Sequence, residues 1–226
     1  MNKIILACST LLDCLQAAQQ TCGTDIPVVT LDNRYHVEPR DMRRHIQETV
    51  TALPSSIDTI LVAMGFCGGS WQDLSFRQTV IFPRTADCIA LSLITPERHD
   101  PDLKELYHMY LLGDCRNTYS ISAIYDRLFQ QYGKRRADVI FAKYFENYHH
   151  LDIIDNGIFD CYSPGYVAQA QHDADLIGAE LDFVPGSNVM LEALVSGNWD
   201  ERFVIFPPET VITQGKFYDP DFGARP

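Results

Sequence analysis

The chain has 226 residues, 46% of them apolar and 21% charged, and a formal net charge of −12. A chain of this length buries on the order of 70–75% of its unfolded surface and needs no staple, while its negative field opposes nucleic acid and anionic membrane. The longest apolar runs, such as Ile60–Met64, are far too short to span a bilayer, and Met1-Asn2-Lys3 runs into a strand without the apolar core of an export signal; a cytoplasmic protein is expected.

Lys3–Ala7 predicts a strand, and Ser9 or Thr10 can cap a helix reaching about Gln20. Pro27–Leu31 predicts the second strand, and Pro39 opens a helix whose apolar positions Met42, Ile46, Val50 and Leu53 keep helical spacing. Thr59–Met64 is almost continuously apolar, as suits a strand covered on both faces, and it runs into Gly65-Phe66-Cys67-Gly68-Gly69. Thr79–Phe82 predicts the fourth strand, with Thr85 as the cap of a helix through Ile89–Leu93. From about Pro96 to Asn147 no strand is evident, and Ala123–Tyr132 and Ala137–Tyr148 read as helices. Strands follow at Leu151–Ile154, Glu180–Val184 and Arg202–Phe206, separated by helices from Pro164 to the Gly178 stop and over Asn188–Val195. The tail after Pro207-Pro208 reads as turn-rich surface.

Strand–helix alternation of this kind implies an α/β fold with a mainly parallel sheet, helices on both faces, Rossmann-like halves and a helical insertion. A single domain over 1–226 is expected, or alternatively two tightly packed lobes at about 1–95 and 148–210 with a helical insertion at 96–147. The aromatic cluster Tyr144, Phe145 and Tyr148 has helical spacing and suits a core or a homo-oligomer interface. His149 and His150 are adjacent, face opposite sides of any strand, and read as structural.

The seven cysteines include no Cys-x-x-Cys pair, and without an export signal free thiols are expected. Cys8, Cys67 and Cys88 each follow directly on a predicted strand, which gathers them at the carboxyl edge of the sheet, where ligands bind. Helix starts next to Cys8 and Cys88, the glycines around Cys67 and the nearby charge of Arg84 all favour thiolates. Three thiolates suit a soft or borderline metal: zinc with His36 as fourth ligand, or an iron–sulfur cluster with one open iron. His36 is the candidate ligand or acid/base, Asp87 orients a ligand or favours the helix start, and Gly65, Gly68 and Arg84 would contact a bound group. Cys14, Cys22, Cys115 and Cys161 are expected to pack as small hydrophobes.

Ala7-Cys8, Leu31-Asp32 with Tyr35-His36 and Pro39, Gly65-Phe66-Cys67-Gly68, and Pro83-Arg84 with Asp87-Cys88 resemble, in order, the motifs of the domain-of-unknown-function 1638 family. Asn147-Tyr148, Ile154-Asp155-Asn156-Gly157, Gly197-Asn198-Trp199-Asp200 and Phe206-Pro207-Pro208 continue the resemblance to about Pro208. The resemblance carries functional interest to Cys8, His36, Cys67, Asp87 and Cys88 and supplies no established activity. Its setting in anaerobes beside corrinoid-dependent methyl-transfer systems implies a corrinoid or methyltransferase protein partner. Ala86 stands where the family usually has histidine, and Leu111–Asn117 replaces a Thr-Pro-Gly-Trp-like segment, with Cys115 as a candidate replacement ligand. The expected function is a metal-dependent enzyme acting on a small polar substrate; the alternative is an accessory protein that binds a metal, corrinoid or small ligand without turnover.

Overall fold

The computed structural model describes residues 2–32, 34–35, 38–100, 102–113 and 120–222. The fold is α/β, with two sheets that are mainly parallel and helices around them. Contacts divide the chain into two compact units, one formed by 1–103 with 187–226 and the other by 104–186.

The first unit contains a five-stranded sheet in the order β2-β1-β3-β4-β8. Its strands are β1 (Lys3–Cys8), β2 (Val28–Leu31), β3 (Thr59–Ala63), β4 (Thr79–Pro83) and β8 (Phe203–Phe206). The first four are parallel, whereas β8 runs antiparallel to β4, pairing Val80 with Phe206 and Pro83 with Phe203. Every residue of β3 is buried, as its unbroken apolar run predicts for a strand covered on both faces. From β1 the chain crosses to β2 on one side and then returns to β3 on the other. The strand order therefore reverses between β1 and β3, and the crevice beyond their carboxyl ends is the topological switch point.

The helices of this unit are α1 (Leu12–Cys22), α2 (Pro39–Thr51), α3 (Cys88–Leu93), α7 (Val189–Ser196) and α8 (Gln214–Tyr218). Proline at its first position starts α2, where the missing N–H costs nothing. Gly23 ends α1 in the left-handed conformation. The tail is not the surface turn that Pro207-Pro208 suggested. Its Ile212 and Phe217 are buried, and the Phe217 ring lies 5.5 Å from that of Phe82 and 4.8 Å from that of Phe66. An aromatic side chain of that size stabilises a core strongly enough to draw the tail inward.

The second unit contains a three-stranded parallel sheet, β5-β6-β7, built from β5 (His108–Leu111), β6 (His150–Asp155) and β7 (Glu180–Pro185). The segment read as wholly helical thus contributes a strand, β5, held by four residue pairs with β6. Its helices are α4 (Ile121–Tyr132), α5 (Lys134–Phe145) and α6 (Pro164–Ile177). Ile121, Phe141, Phe145 and Ala174 pack on Leu151, while Cys161 and Ala170 pack on Ile153. Among the described residues, no helix is long and apolar enough to cross a membrane.

Candidate functional site

Cys8 closes β1 at the switch point and is fully buried. Cys67 opens a single 3-10 turn, Cys67–Gly69, just beyond β3, and is half-buried. Cys88 is the first residue of α3 and is buried. The Cys67 and Cys88 sulfurs lie 4.0 Å apart, and the Cys88 thiol is hydrogen-bonded to that of Cys8 as well. Three thiols from three different strand ends therefore meet, as strand-end placement predicts.

The backbone explains why Cys67 and Cys88 meet. The Phe66 N–H donates to the Thr85 carbonyl at 3.0 Å, and the Cys67 N–H donates to the Ala86 carbonyl at 2.8 Å. These bonds lay the loop after β3 along the turn before α3. Gly65 makes that approach possible, because a Cβ there would stand 2.4 Å from the Asp87 Cα. Gly68 lies against Pro39 at the start of α2, with Cγ 3.3 Å from where a Cβ would be, and the Arg43 guanidinium donates to the Gly69 carbonyl at 2.8 Å. Cys67 itself has φ +48°, followed by left-handed Gly68 and Gly69. A non-glycine residue in that region costs on the order of 1–2 kcal/mol, and such strain concentrates at functional sites.

The Cys88 thiol is held well above the ordinary thiol range, chiefly by the adjacent Cys67 sulfur and then by its burial. Hydrogen bonds from Cys8 and from the Gly65 backbone N–H pull the other way and favour the thiolate.

Other expected site residues have different placements. His36 and Cys115 lie outside the described residues. Asp87, rather than Thr85, caps α3: its Oδ1 accepts the Ala90 N–H at 2.9 Å. Thr85 is fully buried, and its hydroxyl lacks a hydrogen-bond partner among the described residues. Ala86 contributes its carbonyl, a role that places no demand on the side chain. The Arg84 guanidinium donates to the carbonyls of Phe203 at 3.1 Å, Phe217 at 2.6 Å and Phe222 at 2.5 Å, so its hydrogen bonds anchor the C-terminal segment. Its burial lowers its pKa from the ordinary guanidinium value.

The remaining described cysteines are packed away from any shared site. Cys14 and Cys161 are buried, and the Cys22 thiol donates to the Glu192 carbonyl at 3.6 Å. Burial raises the pKa of both Cys22 and Cys161. The sequence reading missed the polar side chains of β5, β6 and β7. Their signal was a repeated polar–apolar alternation, in His108-Met109-Tyr110-Leu111, His150-Leu151-Asp152-Ile153 and Glu180-Leu181-Asp182-Phe183.

A family model described as "Protein of unknown function (DUF1638)" matches residues 30–195. The matched stretch contains Cys67, Asp87 and Cys88, whereas Cys8 and the tail that packs on Phe66 lie beyond its ends. No curated protein and no solved structure matches the chain.

Proposed function

The chain belongs to the DUF1638 family, and from its thiol geometry we propose that it is a metal-dependent enzyme whose ion is held by Cys8, Cys67 and Cys88. The 4.0 Å between the Cys67 and Cys88 sulfurs carries this reading. Two thiolates about 2.3 Å from one tetrahedral ion stand about 3.8 Å apart, so these sulfurs need almost no movement to share zinc. Thiolates on separate irons of a cluster stand farther apart, and the short distance therefore favours a single ion over an iron–sulfur cluster.

The surroundings support the donor set. The Gly65 backbone N–H lies near enough to Cys88 to favour its thiolate form. Partial exposure of Cys67 supports access for a small polar substrate, and Thr85 in the adjoining turn offers a buried hydroxyl without a partner among the described residues. A zinc ion with three protein ligands keeps a fourth position for substrate, where it activates a bound thiol or water or polarises a carbonyl. Asp87 fixes the start of α3 and thereby the position of Cys88.

Metal analysis after anaerobic purification, together with cobalt substitution, tests the reading. One equivalent of metal and a thiolate-to-cobalt charge-transfer band are expected, and both should weaken in Cys8→Ser, Cys67→Ser and Cys88→Ser. A metal-free protein indifferent to replacing all three would sink it. Stoichiometric capture of ligand without turnover would instead assign the site to an accessory protein.

A further inference from the structure

The polar alternation of the three strands 108–111, 150–153 and 180–183 is brought into register by parallel pairing. His108 lies beside His150 and His150 beside Glu180; two residues on, Tyr110 lies beside Asp152 and Asp152 beside Asp182. Residues two apart on a strand share a face, so these six side chains gather on one side of the sheet. Leu151 and Ile153, on the other side, pack against helices.

We infer that this polar face holds a second metal site, in which His150 Nδ1, Glu180 and Asp182 bind a first-row divalent cation. His150 Nδ1 is shielded from solvent and has no hydrogen-bond partner among the described residues. It stands 3.6 Å from Asp182 Oδ2 and 4.0 Å from Glu180 Oε2, too far for good hydrogen bonds. All three donor atoms lie within 4.8 Å of one another. Donors about 2.1 Å from one ion are at most about 4.2 Å apart, so a small rotation of the exposed Glu180 and Asp182 side chains closes the set.

Asp152, outside that three-donor group, adds a buried carboxylate to the same face of the sheet. Asp152 has only 2% of its side chain exposed; its Oδ2 pairs with His108 Nδ1 at 2.7 Å, yet its Oδ1 has no hydrogen-bond partner among the described residues. A buried carboxylate oxygen left without compensation is costly unless positive charge sits nearby. His108 stacks on His150 with ring centroids 4.2 Å apart, so the dyad with Asp152 also fixes the plane of the ligand ring. Glu105 adds a carboxylate 3.7 Å from His108 Nε2, which brings four carboxylates to two imidazoles. Nitrogen and oxygen donors in this mixture suit manganese and its neighbours rather than the soft ions that thiolates prefer.

Manganese alone, titrated into the full-length protein and followed by its paramagnetic resonance signal, separates this site from the thiol site. One bound equivalent is expected. His150→Ala and Asp182→Asn should each weaken it at least tenfold, while Cys67→Ser leaves it unchanged. The Asp182→Asn change is on an exposed side chain and should not alter the metal-free melting temperature. Absence of binding at millimolar manganese, or binding that both variants retain, would overturn the site without touching the reading of the three cysteines.

Discussion

A Cβ on Gly65 would stand 2.4 Å from the Asp87 Cα, 2.6 Å from its N and 2.7 Å from its C. The neighbours on that side are backbone atoms, which cannot swing away as a long side chain would. Gly65→Ala must therefore push the loop carrying Cys67 off the turn carrying Cys88. Overpacking of this kind costs about 1–3 kcal/mol. Denaturant unfolding should report that loss, and cobalt titration should report weaker thiolate coordination in the same variant.

The alkaline limb of stability follows from Cys88. Its folded pKa is raised above the ordinary value of 9.0, first by Cys67 and then by burial. A raised folded value contributes stability that is complete below the unfolded thiol's pKa and is lost as pH climbs towards the folded one. The metal-free protein should accordingly lose stability above about pH 8.5, where free thiols begin to ionise. Cys67→Ser removes the largest cause, so thiolate absorbance should show Cys88 ionising at lower pH in that variant. Zinc affinity in the parent protein should rise with pH, because binding expels the thiol protons.

Asp87 offers a clean separation of cap from chemistry. Asn is as good an N-cap as Asp, and Ala costs about 1 kcal/mol. Asp87→Asn should keep both stability and zinc affinity, while Asp87→Ala should lower the unfolding free energy by about that amount. Parallel unfolding curves and zinc titrations of the two variants check this.

Arg84 binds one carbonyl of β8, that of Phe203, and two of the segment after it, those of Phe217 and Phe222, and hydrogen bonds from a charged donor contribute about 1.5–3 kcal/mol each. Arg84→Met should loosen the tail strongly. Hydrogen exchange should rise first around Phe217, whose own replacement by Ala is expected to cost about 3–5 kcal/mol.

The strand-end rule made the three thiols legible, because continuous apolar runs such as Ile60–Met64 declare buried parallel strands and thereby their ends. The strand His108–Leu111 was not legible in the same way. It is four residues long, lacks β-branched side chains and reads as polar, since half of it faces the carboxylates of its neighbours. The cap of α3 was misread because Thr85 and Asp87 both suit a cap two residues apart, and only the backbone bonds from Phe66 and Cys67 to Thr85 and Ala86 select Asp87. The direction of β8 depends on pairing more than a hundred residues distant, which no local pattern encodes.

That last pairing sets an order of events during synthesis. The unit of residues 104–186 is continuous and leaves the ribosome whole, while the unit bearing the three cysteines waits for residues beyond 187 to supply β8 and the carbonyls that Arg84 binds. Cys8, Cys67 and Cys88 are thus all translated well before their surroundings can be completed. A nascent chain stalled near residue 186 would present these thiols before β8 has paired with β4 and before Phe217 has packed on Phe66, the neighbour of Cys67.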